Sequence, residues 1–218
     1  MLISRLKQKG IVLGTLVILT GLTTGSAMAL NLQNNSPTER IHIASYLDTF
    51  TNQELASGAS LILEGTVLEI HPATWNTPSG RMPKDIKLND IVYTDVSIKI
   101  DTILKGTPKS NDIVTVRVYK GEIPGEFAFS SDTEADFSNN EKVLLFLMED
   151  DSIYNKDKSQ NHYVIMGQYQ GKYTVEQKKV SNFKSTLDTK SIYEVIEKHK
   201  DDPTPEILVK QEGAELEK

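Results

Sequence analysis

Cysteine is absent from this 218-residue chain. Its absence excludes disulfides, thiolate nucleophiles, Cys-ligated zinc and Fe–S clusters. It also excludes a lipid anchor built on a Cys just after an export signal. Basic charge is in deficit: 24 Lys and Arg face 30 Asp and Glu, so nothing favours a phosphate backbone as partner. Catalytic spacings are missing too. There is no H-x-x-H, H-E-x-x-H or G-x-S-x-G. His42, His71, His162 and His199 stand in four different elements. Ser60 follows Gly58-Ala59 but enters a strand directly, without the turn a nucleophile elbow requires. No catalytic residue and no cofactor is therefore expected. What is present, 38% hydrophobic and 25% charged residues, is the composition of an ordinary globular chain with one domain.

Residues 1–29 read as a secretory signal. Arg5, Lys7 and Lys9 form a basic start, Ile11 to Leu22 a twelve-residue apolar run, and Ala27-Met28-Ala29 an A-x-A cleavage pattern. The run is shorter than the roughly 20 residues a spanning helix needs, so secretion or cell-surface display is expected, with a retained membrane anchor as the alternative. Without the three basic residues of the signal, 21 Lys and Arg face 30 Asp and Glu, a net charge of −9. Residues 30–60 are expected to hold a polar leader and a short helix, in which Thr51 and Glu54 form a capping box and Phe50 and Leu55 a hydrophobic staple.

Strand signals fill the next stretch. Leu61 to His71 is β-branched and apolar, with Gly65 marking a bulge or bend. From Ile91 to Ile103 the pattern alternates: Val92, Thr94, Val96, Ile98, Ile100 and Thr102 share one face, and Tyr93, Asp95, Ser97, Lys99 and Asp101 the other. Period two with one apolar face is a half-buried antiparallel strand. Val114, Val116 and Val118 repeat the pattern. Val143 to Met148 is continuously apolar, as in a strand buried on both faces. Tyr163 to Val175 reads as a closing hairpin. Ile192, Val195, Ile196 and His199 give a helical stripe, stopped by Pro203 and Pro205 before a charged tail. The pattern predicts a mainly β fold. It comprises a small antiparallel OB-like barrel of five or six strands over 61–176, a short helix before it, and a C-terminal helix within 177–218.

The order EGTV (Glu64 to Val67), YTDVSIKID (Tyr93 to Asp101), LKG (Leu104 to Gly106), VRV around Arg117, VLLFL (Val143 to Leu147) and QGKYTV (Gln170 to Val175) resembles a group of exported prokaryotic β-barrel proteins. More distantly it is similar to the OB-like barrels of netrin and tissue-inhibitor-of-metalloproteinase domains. The similarity spans Leu61 to Val175, 115 residues of mostly core strands and turns, and so implies fold rather than activity. Those inhibitors chelate a protease metal through an N-terminal Cys. This chain has none, so that mechanism does not transfer.

Two long connections carry the remaining signals. Pro72 to Asp90 holds the single Trp75, three prolines, and Arg81, Lys84 and Lys87. Trp75 either stacks on a ligand or partner, or folds back to plug the barrel end. Lys120 to Phe137 carries Asp132, Glu134 and Asp136 at alternate positions, the way calcium loops begin. The EF-hand pattern then fails, with Phe137 and Val143 where Gly and Glu belong. Tyr93, Arg117 and Tyr119 are expected on the outer strand face where OB barrels bind ligands. Asp95 and Asp101 on that face argue against nucleic acid. The expected function is a non-enzymatic exported binding module, its partner a protein or cell-surface polymer. The alternatives are a protease inhibitor of OB-like fold and a metal-assisted enzyme.

Overall fold

The computed structural model describes residues 39–43, 49–87 and 89–203. These all belong to one compact unit, Asn34–Lys218. The expected signal, the leader up to residue 38 and the charged tail after Pro203 lie outside the described residues.

Five strands close a barrel: β2 (Leu61–Ile70), β4 (Val92–Lys105), β5 (Ile113–Val118), β8 (Lys142–Glu149) and β9 (Tyr163–Ile165). Between them lie the short strands β3 (Thr74–Trp75), β6 (Gly121–Ile123) and β7 (Phe127–Ser131). Around the ring the order is β8-β2-β4-β5-β9, and β9 returns to β8. Neighbours are antiparallel except β5 and β9, which meet in parallel at Val116 and Tyr163. The first barrel strand thus pairs with the second and fourth, and the third with the fifth. This is the Greek-key order of an OB barrel.

Alternation decides what fills it. Leu61, Leu63 and Val67, Val96 and Ile98, Val114, Val116 and Val118, and Val143, Leu145 and Leu147 point inward and form the barrel core. The intervening residues of β8, Leu144 and Phe146, point outward into a second core with Ile62. That core is covered by α1 (Asn52–Gly58) through Leu55 and Ala56, and by α2 (Thr189–His199) through Ile192 and Ile196. A strand with apolar layers on both faces needs a continuous apolar run, and VLLFLM supplies it. Each such side chain contributes about 1.5–3 kcal/mol on burial.

The helix starts follow the expected chemistry. Thr51 Oγ1 accepts from the Glu54 amide at 3.2 Å, and Glu54 Oε2 accepts from the Thr51 amide at 2.8 Å. Asp188 caps α2 by accepting from the Lys190 amide at 2.9 Å. Lys198 and His199 stand in the last turn, where the helix dipole favours cations. Among the described residues no helix is long and apolar enough to cross a membrane.

Two expectations are corrected. Tyr163 to Val175 is not a hairpin. Strands β9 and β10 (Lys172–Glu176) each pair with β8, at successive stretches of it, with a 3-10 turn (Gln168–Gly171) between them. The sheet then continues through β11 (Lys179–Ser181) and β12 (Thr186–Asp188). Nor is 120–137 all loop. Strands β6 and β7 form a hairpin, and β7 pairs in parallel with β1 (Glu39–Ile43).

Gly65 marks a register shift in the β2–β4 pairing. A Cβ there would lie 2.5 Å from both Ile98 Cγ2 and the Lys99 carbonyl oxygen. Gly65→Ala must therefore push a core side chain and a strand backbone apart. We expect a loss of about 1–3 kcal/mol in urea unfolding; an unchanged midpoint would contradict this packing.

Candidate functional site

The outer face of β4 and β5 is roofed by two connections, residues 71–91 between β2 and β4 and residues 150–162 between β8 and β9. OB barrels use these connections and this face for ligands. Val116 and Val118 face the barrel core, so Arg117 points outward. It is nevertheless 4% exposed, because the roof covers it. Nε and Nη2 donate to the Asp95 carboxylate at 2.8 and 2.9 Å, from the residue directly opposite on β4. Nη2 also donates to Gln160 Oε1 at 2.7 Å, and the guanidinium carbon stands 3.6 Å from the Tyr93 ring centroid. Burial works against this charge, but the Asp95 hydrogen bonds outweigh it and raise the Arg117 pKa.

Asp150, just past the end of β8, is the second fixed point. Its side chain is 1% exposed. It accepts from the Tyr119 hydroxyl, from His162 Nε2 at 2.8 Å, and from the Ser152 hydroxyl and amide at 2.7 and 3.1 Å. Burial would raise its pKa, yet the donors from His162, Tyr119 and Ser152 lower it to about 2. The network joins the end of β5, the start of β9 and the roof. Tyr154 in the roof packs its ring on Tyr119 with centroids 5.4 Å apart.

Two chambers flank Arg117 and share it and Tyr154. The outer one, about 320 Å³, is lined by Asn76, Thr77, Tyr93, Lys156, Asp157 and Gln160 among others. The inner one, about 280 Å³, is lined by Tyr119, Phe129, Glu134, Asp150, Asp151 and Gln168 among others. Glu134 differs from the carboxylates around it. Desolvation pushes its pKa up to about 7, against a counteracting Lys120 charge and a hydrogen bond from the Tyr119 amide. The Lys120 ammonium itself is bound to Asp136 at 2.5 Å and to the Glu134 backbone oxygen at 3.2 Å. Among the described residues, Glu134 forms no salt bridge. Gln168, in a left-handed conformation with φ 53°, offers its amide to Glu134 Oε1 at 3.4 Å. Its own Oε1 is buried with no hydrogen-bond partner among the described residues.

The structure brings Tyr93, Arg117 and Tyr119 together at this cleft. It does not bring Trp75 there as a contact residue. Trp75 is 1% exposed, donates from Nε1 to Glu126 Oε1 at 2.9 Å, and packs on Phe127 with centroids 4.6 Å apart. It joins Val92 and Phe127 in a small third core that pins the 71–91 connection to the β6–β7 hairpin. Of its two readings, the folded-back one is what the structure contains, outside the barrel core rather than inside it. Arg81 and Lys84 are exposed on the far part of that connection, and neither lines the two chambers. Asp132, Glu134 and Asp136 do not converge. Asp132 pairs with His42 at 3.1 Å, Asp136 with Lys120, and Glu134 turns into the inner chamber. Among the described residues, no three His, Asp or Glu side chains are placed to hold a metal ion.

Asp150, His162, Gln160 and Gln168 escape a motif search, since their spacing follows no pattern. The one local signal is a carboxylate placed directly after a strand buried on both faces. No protein-family model matches the chain, and no curated protein matches it.

Because the folded state holds the Glu134 proton up to about pH 7 and an ordinary glutamate releases it near 4.5, stability falls as pH rises between those values. Glu134→Gln removes that loss. We expect the variant to be more stable than the wild type at pH 8 by on the order of 1–3 kcal/mol, with the gain shrinking toward pH 4.5. Urea unfolding at both pH values checks this; equal stability at pH 8 would contradict it.

Proposed function

We propose that the chain is an exported, non-enzymatic binding module whose ligand site is the two-chambered cleft over Arg117. The observation that carries this reading is a pair of adjoining cavities of ligand size on the face and under the connections that OB barrels use for binding. The walls are already rigid. Arg117 is held by Asp95, Gln160 and Tyr93, and Tyr119 by Asp150, so little ordering cost remains for binding. Export rests on the signal pattern of residues 1–29. The partner is a small polar molecule or the protruding group of a protein or cell-surface polymer, because the chambers admit side groups rather than a flat surface.

A second reading, an acid–base enzyme, is favoured by one observation. Glu134 and Asp150 line the same chamber with their pKa values driven in opposite directions, as in catalytic carboxylate pairs. Against it, both Asp150 oxygens already accept from protein donors, and Ser152 donates to Asp150 rather than to a base. The protease-inhibitor alternative has no feature of the cleft in its favour.

Amide-resolved NMR of the full chain against a panel of small polar molecules tests the main reading. Ligand-induced shifts should cluster at residues 76–78, 117–119 and 150–160. Gln160→Trp, which fills the outer chamber from an exposed position, should weaken ligands seated there by about tenfold or more. Shifts gathered elsewhere, or no binder at all, would contradict the proposal.

A further inference from the structure

The inner chamber has more carboxylates than cations. Its lining includes the carboxylates of Glu134, Asp150 and Asp151 and one cation, Arg117. Arg117 is committed to Asp95 and Gln160, and Asp150 is committed to Tyr119, His162 and Ser152. Among the carboxylate and amide acceptors that leaves Glu134, which accepts from the Tyr119 and Gln168 amides but has no salt bridge among the described residues, and the buried Gln168 Oε1, which has no hydrogen-bond partner among them. Aromatic side chains of Tyr119, Tyr154 and Phe129 line the same space. A group that enters must supply hydrogen-bond donors and positive charge and can use aromatic walls. Those are the properties of an organic cation.

We propose that the inner chamber binds the ammonium group of a small organic amine or of a lysine-like side chain, with Glu134 as its counter-ion and Gln168 Oε1 as a second acceptor. This rests on the cleft being a binding site and names what enters it. The desolvated carboxylate and the orphaned amide oxygen are both costly in the empty site, and an ammonium offsets both. An anion would meet Glu134 and Asp151, and an uncharged alcohol would leave Glu134 without a counter-ion.

Binding couples to protons. The charged groups facing Glu134 are Lys120 and Arg117 from the end and body of β5, Asp150 and Asp151 from the roof, and Asp136 on its own segment. The His42–Asp132 pair links the same segment to β1. Of these, Glu134 is the carboxyl that titrates near neutrality, at about 7. An ammonium selects its ionised form, so binding at pH 6 displaces a proton, and affinity falls about tenfold from pH 8 to pH 6.

The test is calorimetry and amide NMR on the full chain with four probes of one chain length: pentylammonium, Nα-acetyl-lysine methylamide, pentanol and pentanoate. Expected are binding of the two ammonium probes at pH 8, at least about tenfold tighter than the alcohol or the acid, and proton release at pH 6. Glu134→Gln should abolish both the preference and the pH dependence while keeping a cooperative melt. Preference for the lysine amide assigns the ligand to a partner's side chain, and preference for pentylammonium to a free amine; either supports the proposal. Ammonium binding that survives Glu134→Gln overturns it, as does silence from all four probes. Pentanol or pentanoate shifting the cleft amides while the ammonium probes do not would overturn the ammonium assignment and leave the cleft reading intact. Shifts confined to another face would overturn both.

Discussion

One buried carboxylate, Asp150, ties the functional end of the molecule together. Its acceptors hold the Tyr119 hydroxyl where β5 ends, His162 where β9 begins, and Ser152 in the roof between β8 and β9. The side-chain amide of Asn155 adds a bond to its backbone oxygen at 2.7 Å. A carboxylate this deep is stable only because every approach to it is a donor. Withdraw it, and His162, Tyr119 and the roof lose a common partner. The barrel closes through β9, and the inner chamber is lined by Tyr119 and the roof, so closure and site share this one group.

Asp150 is where it is because β8 is shared. The strand serves the barrel core with Val143, Leu145 and Leu147 and the helix-covered core with Leu144 and Phe146. It pairs with β2 on one side and with β9 and β10 on the other. A strand packed on all sides carries the first residue beyond its end to a fixed place. The cleft on the neighbouring face is built the same way: the β4–β5 register sets Asp95 opposite Arg117, and their bidentate bond stiffens the wall between the chambers.

Much of this was legible in the sequence because it is local. The alternation through β4, the apolar run of β8, the capping box at Thr51 and the bulge at Gly65 are consequences of period, propensity and turn chemistry over a few residues. What was not legible depends on distant pairing. Tyr163 to Val175 has the look of a hairpin, yet its two strands prefer successive stretches of β8, a choice made by the rest of the sheet. The parallel pairing of β1 with β7 joins residues far apart in the chain and leaves no local trace. At the site, Tyr93, Arg117 and Tyr119 could be placed on an outer face, but a period-two pattern does not say that a roof covers that face. Trp75 drew notice as a lone aromatic on a long connection, and it serves to fasten that connection. In the sequence Glu134 is one of three alternating acids, with Asp132 and Asp136, whose calcium pattern fails. The bends at residues 132–134 separate it from its neighbours: Asp132 and Asp136 go to His42 and Lys120, and Glu134 turns into the inner chamber.

The central claim is that Glu134 is a desolvated carboxyl, without a salt bridge among the described residues, held in a ready-made cleft rather than a solvated surface acid. The most direct measurement is a titration of the Glu134 side-chain carboxyl by carbon-detected NMR in the ligand-free protein. The account predicts a midpoint near pH 7, set by desolvation. A midpoint near the ordinary 4.5 would mean that water or a cation already serves this group, and would contradict it.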